Sequence, residues 1–541
     1  MKDISSTGSF VDFTLENFIY VDKTEYIPKL VKLKRVFISR PRRFGKSLTL
    51  DTIATLFETG VEPYFKGTWI YDKWTEPTYP VLRLNFLNFD KNSIEKFNNK
   101  LNSKITEFAE LNHVTSYKEK EEAEDSIDHL LEQLRLEGRQ IVILIDEYDC
   151  QMTANINNET LYKQFQEKIK SFYANIKDKF AIKFLGITGV TRLKDVAIFS
   201  VGSDINDITN DSAYSQMIGF TRDEIKKYYI DYLKLAASYE NNCTVDNVTE
   251  AQIESLLDRL AKNYDGYCFD EFYKKKVFST WSVNSFFQSI VENKFVFFDE
   301  YWYDNGGLPS ILVNYLKTHE LNIFEYLDKD KFLKVSSDDF KNPTALTTIN
   351  QNVLMCQTGY LTLRSDLNKT STVALGIPNG EIYKALNRLL ANNIFKGNTD
   401  ITDDYGRSLL EVGTVDDIIN LFNSALNSVS YDNYPIVSES SVQNMLKLYL
   451  LGAHQEVLSE VHEAKGRADL VVNTDNRRIV FEFKYAKNEA EAKSKLSEAV
   501  EQIKTRDYGN ILPKKNELIR IAAVFNADPK VRAFTENQIV P

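Results

Sequence analysis

Hydrophobic patterning divides the chain into stretches of different period. Toward the N-terminus, short unbroken apolar runs recur: Arg35–Ser39 (RVFIS), Pro80–Phe86, Gln140–Glu147 (QIVILIDE) and Phe180–Thr188 (FAIKFLGIT). Each has strand length, and a run that is apolar on both faces predicts a buried parallel strand. Helical stretches such as Leu48–Glu58 lie between them, so the expected fold is α/β, a parallel sheet with helices on both faces. From Phe220 to Lys262 the period becomes helical, with helices expected over Arg222–Ala237 and Glu250–Asn263 as a lid on that core. Residues 344–390 read as helix, strand (Tyr360–Arg364), turn, strand (Thr372–Leu375), helix, which suits either a winged-helix-like module or a helical linker with a hairpin. A Ser/Asn/Asp-rich stretch, Asn427–Ser441, marks a boundary. Beyond it come an amphipathic helix (Ser441–Ala453), a strand (Glu456–Val461), a hairpin, a charged helix (Asn488–Lys504) and a last strand, Leu518–Phe525. The pattern predicts four parts: a parallel-sheet α/β core (1–215), a helical lid (216–300), a helical or winged-helix-like middle (301–428) and a second, smaller α/β domain (429–541).

Composition narrows the classes. At 43% hydrophobic and 26% charged residues the chain is an ordinary globular protein, and its 541 residues suffice for several cores. Four cysteines, Cys150, Cys243, Cys268 and Cys356, lack zinc-ligand spacing and suit a reducing cytoplasm. No apolar run reaches the length of a signal peptide or membrane span. The net charge of −11 argues against a protein that coats nucleic acid along its whole surface. Residues 451–541 hold 15 Lys and Arg against 14 Asp and Glu, leaving 51 against 63 for the rest, so any nucleic-acid surface is local. Lys465, Arg467, Arg477, Arg478, Lys484 and Lys487 concentrate there, a set that a solvated hairpin would also carry.

The hairpin joins Gly466–Val472 to Arg478–Lys484 through the polar stretch Asn473–Arg477. Asp469 and Glu482 then fall near each other on neighbouring strands. Alternation places Glu482 and Lys484 on one face and Phe481 and Phe483 on the other, one face for chemistry and one for the core. Two carboxylates so placed suit a hard cation such as Mg²⁺, and Lys484 would hold a nucleophilic water or offset charge on a phosphorane-like transition state. Ionisable groups among Val, Ile and Phe cost on the order of several kcal/mol if unpaired, so their presence calls for a reason.

A second chemistry lies near the start. The strand Arg35–Ser39 runs into Arg40-Pro41-Arg42-Arg43-Phe44-Gly45-Lys46-Ser47 and then a helix, the order of a phosphate-binding P-loop. Backbone amides from Arg43 and Phe44 through Leu48 would cradle phosphates of ATP, Lys46 would reach the β- and γ-phosphates, and Ser47 would ligate Mg²⁺. Arg40 stands where the general motif has its first glycine. Asp146 and Glu147 close a strand as a metal-holding and a water-orienting acid would. Thr188 and Arg192 follow the fourth strand, where a γ-phosphate sensor would sit. A homo-oligomer would follow if Arg192 or Arg222 reached a neighbouring subunit's nucleotide.

The C-terminal arrangement resembles the PD-(D/E)XK nuclease superfamily. That resemblance implies an additional acid, either Glu439 before the helix or Glu460 on the following strand, and a Gln…Tyr element near the scissile phosphate, here Gln502 and Tyr508. Over nearly the whole chain, the motifs YVDKT (Tyr20–Thr24), SRPRRFGKS, LIDEYD (Leu144–Asp149), GITGVTR, YDGYCF (Tyr264–Phe269), YWYDNGG (301–307), QTGYLTL (Gln357–Leu363) and GIPNGEI (Gly376–Ile382) resemble a bacterial family that joins an AAA-ATPase-like region to such a nuclease. The resemblance implies ATP and Mg²⁺ as cofactors, nucleic acid as partner without choosing DNA or RNA, and nucleotide-regulated cutting. The alternative is an ATP-dependent switch or scaffold whose nuclease-like domain binds nucleic acid or a protein partner without cutting it.

Overall fold

The computed structural model of the chain describes residues 1–176, 179–193, 205–302, 310–316, 319, 323–343, 345–395, 406–453, 455–463, 466–510 and 513–541. Two compact units emerge, one from residues 1–321 and 330–382, the other from 322–329 and 383–541. The division falls inside the stretch 301–428 that the pattern groups as one middle region. Residues 303–307 of YWYDNGG, Lys465, and the side chain of Glu460 lie outside what is described.

The first unit is built on five strands: β1 (Arg35–Ser39), β2 (Val81–Asn85), β3 (Ile141–Asp146), β4 (Ile182–Gly189) and the short β5 (Asn206–Asp207). They lie in the order β2-β3-β4-β1-β5, and every pairing is parallel. All six residues of β3 are buried, as expected for a strand covered on both faces. Because the strands run one way, the loop after β1, Asp146 at the end of β3 and Thr188 in the last turn of β4 share one edge of the sheet, where ligands of such sheets bind. Helix α1 (Lys46–Thr59) leaves the loop after β1, and α2 (Ile94–Leu111), α3 (Ala123–Leu136) and α4 (Glu159–Ile176) flank the sheet.

Helices α5 (Arg222–Tyr228), α6 (Ile230–Glu240), α7 (Glu250–Tyr264) and α8 (Thr280–Asn293) form the lid, with a core of Ile225, Leu233, Leu257, Phe286 and Phe287 that also takes in Ile19 and Val21. Reciprocal capping boxes start α5 at Thr221/Glu224 and α7 at Thr249/Gln252. The single helix expected over Arg222–Ala237 is broken at Tyr229. There the ring stacks on Phe287 at 5.2 Å and the hydroxyl donates to Asn284, so packing overrides the continuous helical period. Further on, β6 (Leu333–Ser336), β7 (Thr362–Leu363) and β8 (Thr372–Gly376) make a small antiparallel sheet in the order β6-β8-β7.

In the second unit α9 (Val415–Asn427) and α10 (Glu439–Gly452) precede β9 (Glu456–Glu463), β10 (Gly466–Asn473) and β11 (Arg477–Ala486). Helix α11 (Glu489–Arg506), β12 (Glu517–Asn526) and β13 (Ala533–Val540) follow. The sheet order is β13-β12-β11-β10-β9, mixed, with β11 parallel to β12 and the other pairs antiparallel. The sequence reading stops at β12; β13 is an additional strand, polar along most of its length. Helix α11 packs Ala499, Val500 and Ile503 against Val480 and Ala522, while Phe481 and Phe483 meet Phe422 and Phe534. Both faces of β11 are therefore covered. Glu482 shares its face of β11 with Val480, against which α11 packs, while Phe481 and Phe483 take the opposite face, as the alternation places them.

Candidate functional site

At the C-terminal centre, three polar side chains from β10 and β11, Asp469, Glu482 and Lys484, act on one another. The β10–β11 pairing sets Leu470 opposite Phe481, and at its margin the Phe483 amide donates to Asp469 Oδ2 at 2.9 Å. That bond holds the half-buried Asp469 carboxylate beside the root of Glu482. Glu482 is 0% exposed, and its Oε1 accepts from Lys484 Nζ at 2.8 Å. Its Oε2 is buried without a hydrogen-bond partner among the described residues. Helix α10 reaches the same place: Glu439 Oε1 stands 3.4 Å from Lys484 Nζ with 42% of its side chain exposed, and Gln443 Nε2 donates to the Asp469 carbonyl.

Electrostatics follow from this crowding. Burial, then the charge of Asp469, pushes the Glu482 carboxyl up to about 7. Burial also raises Asp469, against the lowering pull of the Phe483 amide and Lys484. For Lys484 burial works to lower the pKa, but its hydrogen bond to Glu482 and the surrounding acids outweigh it, so the ammonium is reinforced. An oxygen with no proton donor, next to a second carboxylate, fits a cation of oxygen-seeking type. Among the described residues no group of three or more acidic, His or Cys side chains is clustered for a metal, so the candidate donors are the pair Asp469 and Glu482. Mg²⁺ commonly takes only one or two carboxylates and completes its shell with water and phosphate. Glu439 sits on the lysine.

The Tyr508 ring is enclosed in the core, and its hydroxyl accepts from Arg506 Nη1 at 2.7 Å. Arg506 is the cation that sequence reasoning missed: after its bond to Tyr508, the charges of Glu482 and Asp469 act on it too. Its signal in the sequence was its place one helical turn after Gln502.

At the other centre Gly45, at φ 99°, caps α1, and a side chain there would be strained; Arg43 also has positive φ, at 69°. The turn aims the α1 N-terminus into the loop, the arrangement that binds phosphate. Lys46 is 4% exposed; its Nζ donates to the carbonyls of Arg40 (3.1 Å) and Pro41 (3.2 Å) and stands 3.6 Å from Glu147 Oε1. Ser47 Oγ donates to Asp146 Oδ2 at 2.6 Å, and Thr188 Oγ1 donates to the other oxygen, Oδ1. Ser47, Asp146 and Thr188 thus form one polar chain at the sheet edge, the donor set a nucleotide-bound Mg²⁺ would need. Burial raises the Glu147 carboxyl, opposed by Lys46.

Phe44 turns into the core against Tyr267 and Phe269, leaving only its backbone for a ligand. Arg43 lies over the Trp281 ring at 3.9 Å, and its carbonyl accepts from Thr280 Oγ1, so the first turn of α8 grips the loop. Arg192 is ion-paired with Asp207, and Arg222 with Glu254 and Asp258. Beside the loop, a cavity of about 180 Å³ is lined by Tyr20, Phe44, Leu48, Thr52, Tyr229 and Trp281. The sequence signalled it only through YVDKT. No helix among the described residues is long and apolar enough to cross a membrane.

Residues 5–199 match a family model described as a predicted AAA-ATPase. Residues 437–535 match that of the PD-(D/E)XK nuclease superfamily. The chain therefore joins an AAA-ATPase-like region to a PD-(D/E)XK nuclease-like domain, the pairing its motifs imply. A curated relative, an uncharacterized protein in the vnfD 5′ region of Azotobacter chroococcum mcd 1, is 26% identical over 531 residues, covering 95% of this chain and 94% of its own. Among solved structures, the crystal structure of Cdc6p from Pyrobaculum aerophilum aligns with 11% identity and a TM-score of 0.22, over 68% of this chain and 93% of that one.

Proposed function

We propose that the protein is a nucleotide-regulated, metal-dependent nuclease acting on DNA or RNA. The observation that carries this reading is the unpartnered Glu482 Oε2, buried between Asp469 and Lys484. A stable core has no use for such an oxygen, whereas a cation-binding centre requires it. Asp469 and Glu482 would hold Mg²⁺, whose chemistry is to polarise a phosphate oxygen and make water more acidic. Glu482 would release its proton to do so. Lys484, held by Glu482 and Glu439, would orient the attacking water or offset charge on the transition state.

At the other centre, Lys46 would exchange the Arg40 and Pro41 carbonyls for the β- and γ-phosphates of ATP. Ser47 and Asp146 would hold Mg²⁺, and Glu147, released from Lys46, would orient water. The apolar cavity beside the loop would take the base. Arg192 reaches the γ-phosphate only by leaving Asp207, and a role for Arg192 or Arg222 across a subunit boundary would likewise require their ion pairs to open.

The test is a Mg²⁺-dependent cleavage assay on single-stranded DNA, duplex DNA and RNA. Asp469→Ala and Lys484→Ala should each lower cutting on the order of 10²–10³-fold while leaving ATP turnover intact. Lys46→Ala should do the reverse to turnover. Unchanged cutting by the Asp469 and Lys484 variants would defeat the assignment. A second reading, an ATP-dependent switch or scaffold, draws on the complete enclosure of Glu482 and the absence of a third clustered acid among the described residues. It expects nucleic-acid or protein binding, with no cutting of any substrate.

A further inference from the structure

Behind the first position of the phosphate loop, the ATPase-like unit encloses a positive charge without an obvious partner. Arg40 is 1% exposed. Its Nη1 donates to the Ser39 carbonyl at 2.9 Å and the Thr209 carbonyl at 2.6 Å, and its plane lies over the Phe269 ring at 4.1 Å. Nε and Nη2 have no hydrogen-bond partner among the described residues. Asp207 is the carboxylate whose charge acts on Arg40, and that acid is already ion-paired with Arg192. Two guanidinium groups therefore share one carboxylate, and burial pulls Arg40 down to about 9.

Arg40 and Arg192 both line a cavity of about 40 Å³, together with Asn210, Cys268, Cys356 and Gln357. The two cysteines do not supply the missing negative charge: burial pushes Cys268 up to about 11 and Cys356 up to about 12, so both stay neutral thiols. Lys46, Ser47, Asp146 and Glu147 do not line this cavity; Arg192, which would have to leave Asp207 to reach a γ-phosphate, does. At roughly 10–15 Å³ per water, its volume suits one monatomic ion with a water or two. A buried charge without a counter-charge is destabilising, and a bound counter-ion offsets that cost.

We propose that this cavity is a binding site for a small monovalent halide, chloride in ordinary media, held by Arg40 Nε and Nη2. Its lining of thiols, the Phe269 and Phe340 rings and the side-chain amides of Asn210 and Gln357 suits a polarisable, weakly hydrated anion. The bound halide braces the backbone whose Arg40 and Pro41 carbonyls hold Lys46, and so stabilises the loop before nucleotide arrives.

The test is thermal unfolding of the full chain at constant ionic strength in sodium chloride or sodium bromide against sodium gluconate, whose anion is too large for the cavity. The unfolding midpoint should rise with halide concentration in the unmodified chain and lose that dependence in Arg40→Met. Should Arg40→Met fail to fold, crystals of the unmodified chain grown in bromide provide the second measurement, with an anomalous peak expected within hydrogen-bond reach of Nε and Nη2. Equal midpoints in halide and gluconate, or a cavity containing only water, would overturn the proposal.

Discussion

Glu381 illustrates how much one enclosed carboxyl can set. It is 2% exposed, accepting from Ser282 Oγ at 2.7 Å and the Trp302 amide at 2.8 Å, and the Trp302 indole donates in turn to the Arg42 carbonyl in the phosphate loop. Burial lifts it from an ordinary 4.5 to about 8. Between those values the folded chain keeps a proton that the unfolded chain has lost, so this group makes stability fall as pH rises through that window. Thermal unfolding followed from about pH 5 to about pH 8 should show that decline, and Glu381→Gln should flatten it. An unaltered slope in the variant would remove Glu381 as its source. Individual site residues were legible in the sequence to different degrees. Asp469, Glu482 and Lys484 stood out because they are ionisable groups set into strands that are otherwise apolar. Arg506 did not, since an arginine in the last turn of a charged helix looks like any solvated end. Arg40 read as a lost glycine, yet Arg43 and Gly45, not Arg40, are the loop positions with positive φ.

Elements were legible where their period was long and strong. The four longer strands of the parallel sheet and helices α7, α10 and α11 lie within a residue or two of where the pattern places them, because buried parallel strands leave unbroken apolar runs. β13 was missed because Thr535-Glu536-Asn537-Gln538 gives an edge strand little apolar signal; its partner β12 supplies the pairing. The break between α5 and α6 comes from long-range packing of Tyr229, which no local window contains. The lid depends on its caps: Thr221→Ala removes the hydroxyl that accepts from the Glu224 amide in the α5 capping box and should cost about 1 kcal/mol, read as a lower denaturant midpoint. The grip of α8 on the phosphate loop gives another prediction. Trp281→Ala removes the ring beneath Arg43 and should weaken ATP binding by about three- to tenfold in calorimetry, while leaving Mg²⁺-dependent cutting without nucleotide unchanged.

On the scale of the whole molecule, the AAA-ATPase-like match and the nuclease-like match fall in separate compact units. The acidity of the chain lies outside residues 451–541, which are close to neutral, so nucleic acid would meet a local surface. That both units were recognisable before the structure reflects chemistry confined to short, ordered motifs; the fold between them was less so, because its strands are short and its helices interrupted. The central claim is that Asp469 and Glu482 share a divalent cation. Calorimetric titration of the nucleotide-free full chain with Mg²⁺ tests it most directly, since the phosphate loop needs nucleotide to complete its own metal site. The account predicts about one ion bound per chain in the unmodified protein and none in Asp469→Ala, with ATP binding retained by both. Equal Mg²⁺ binding by the two proteins would contradict it.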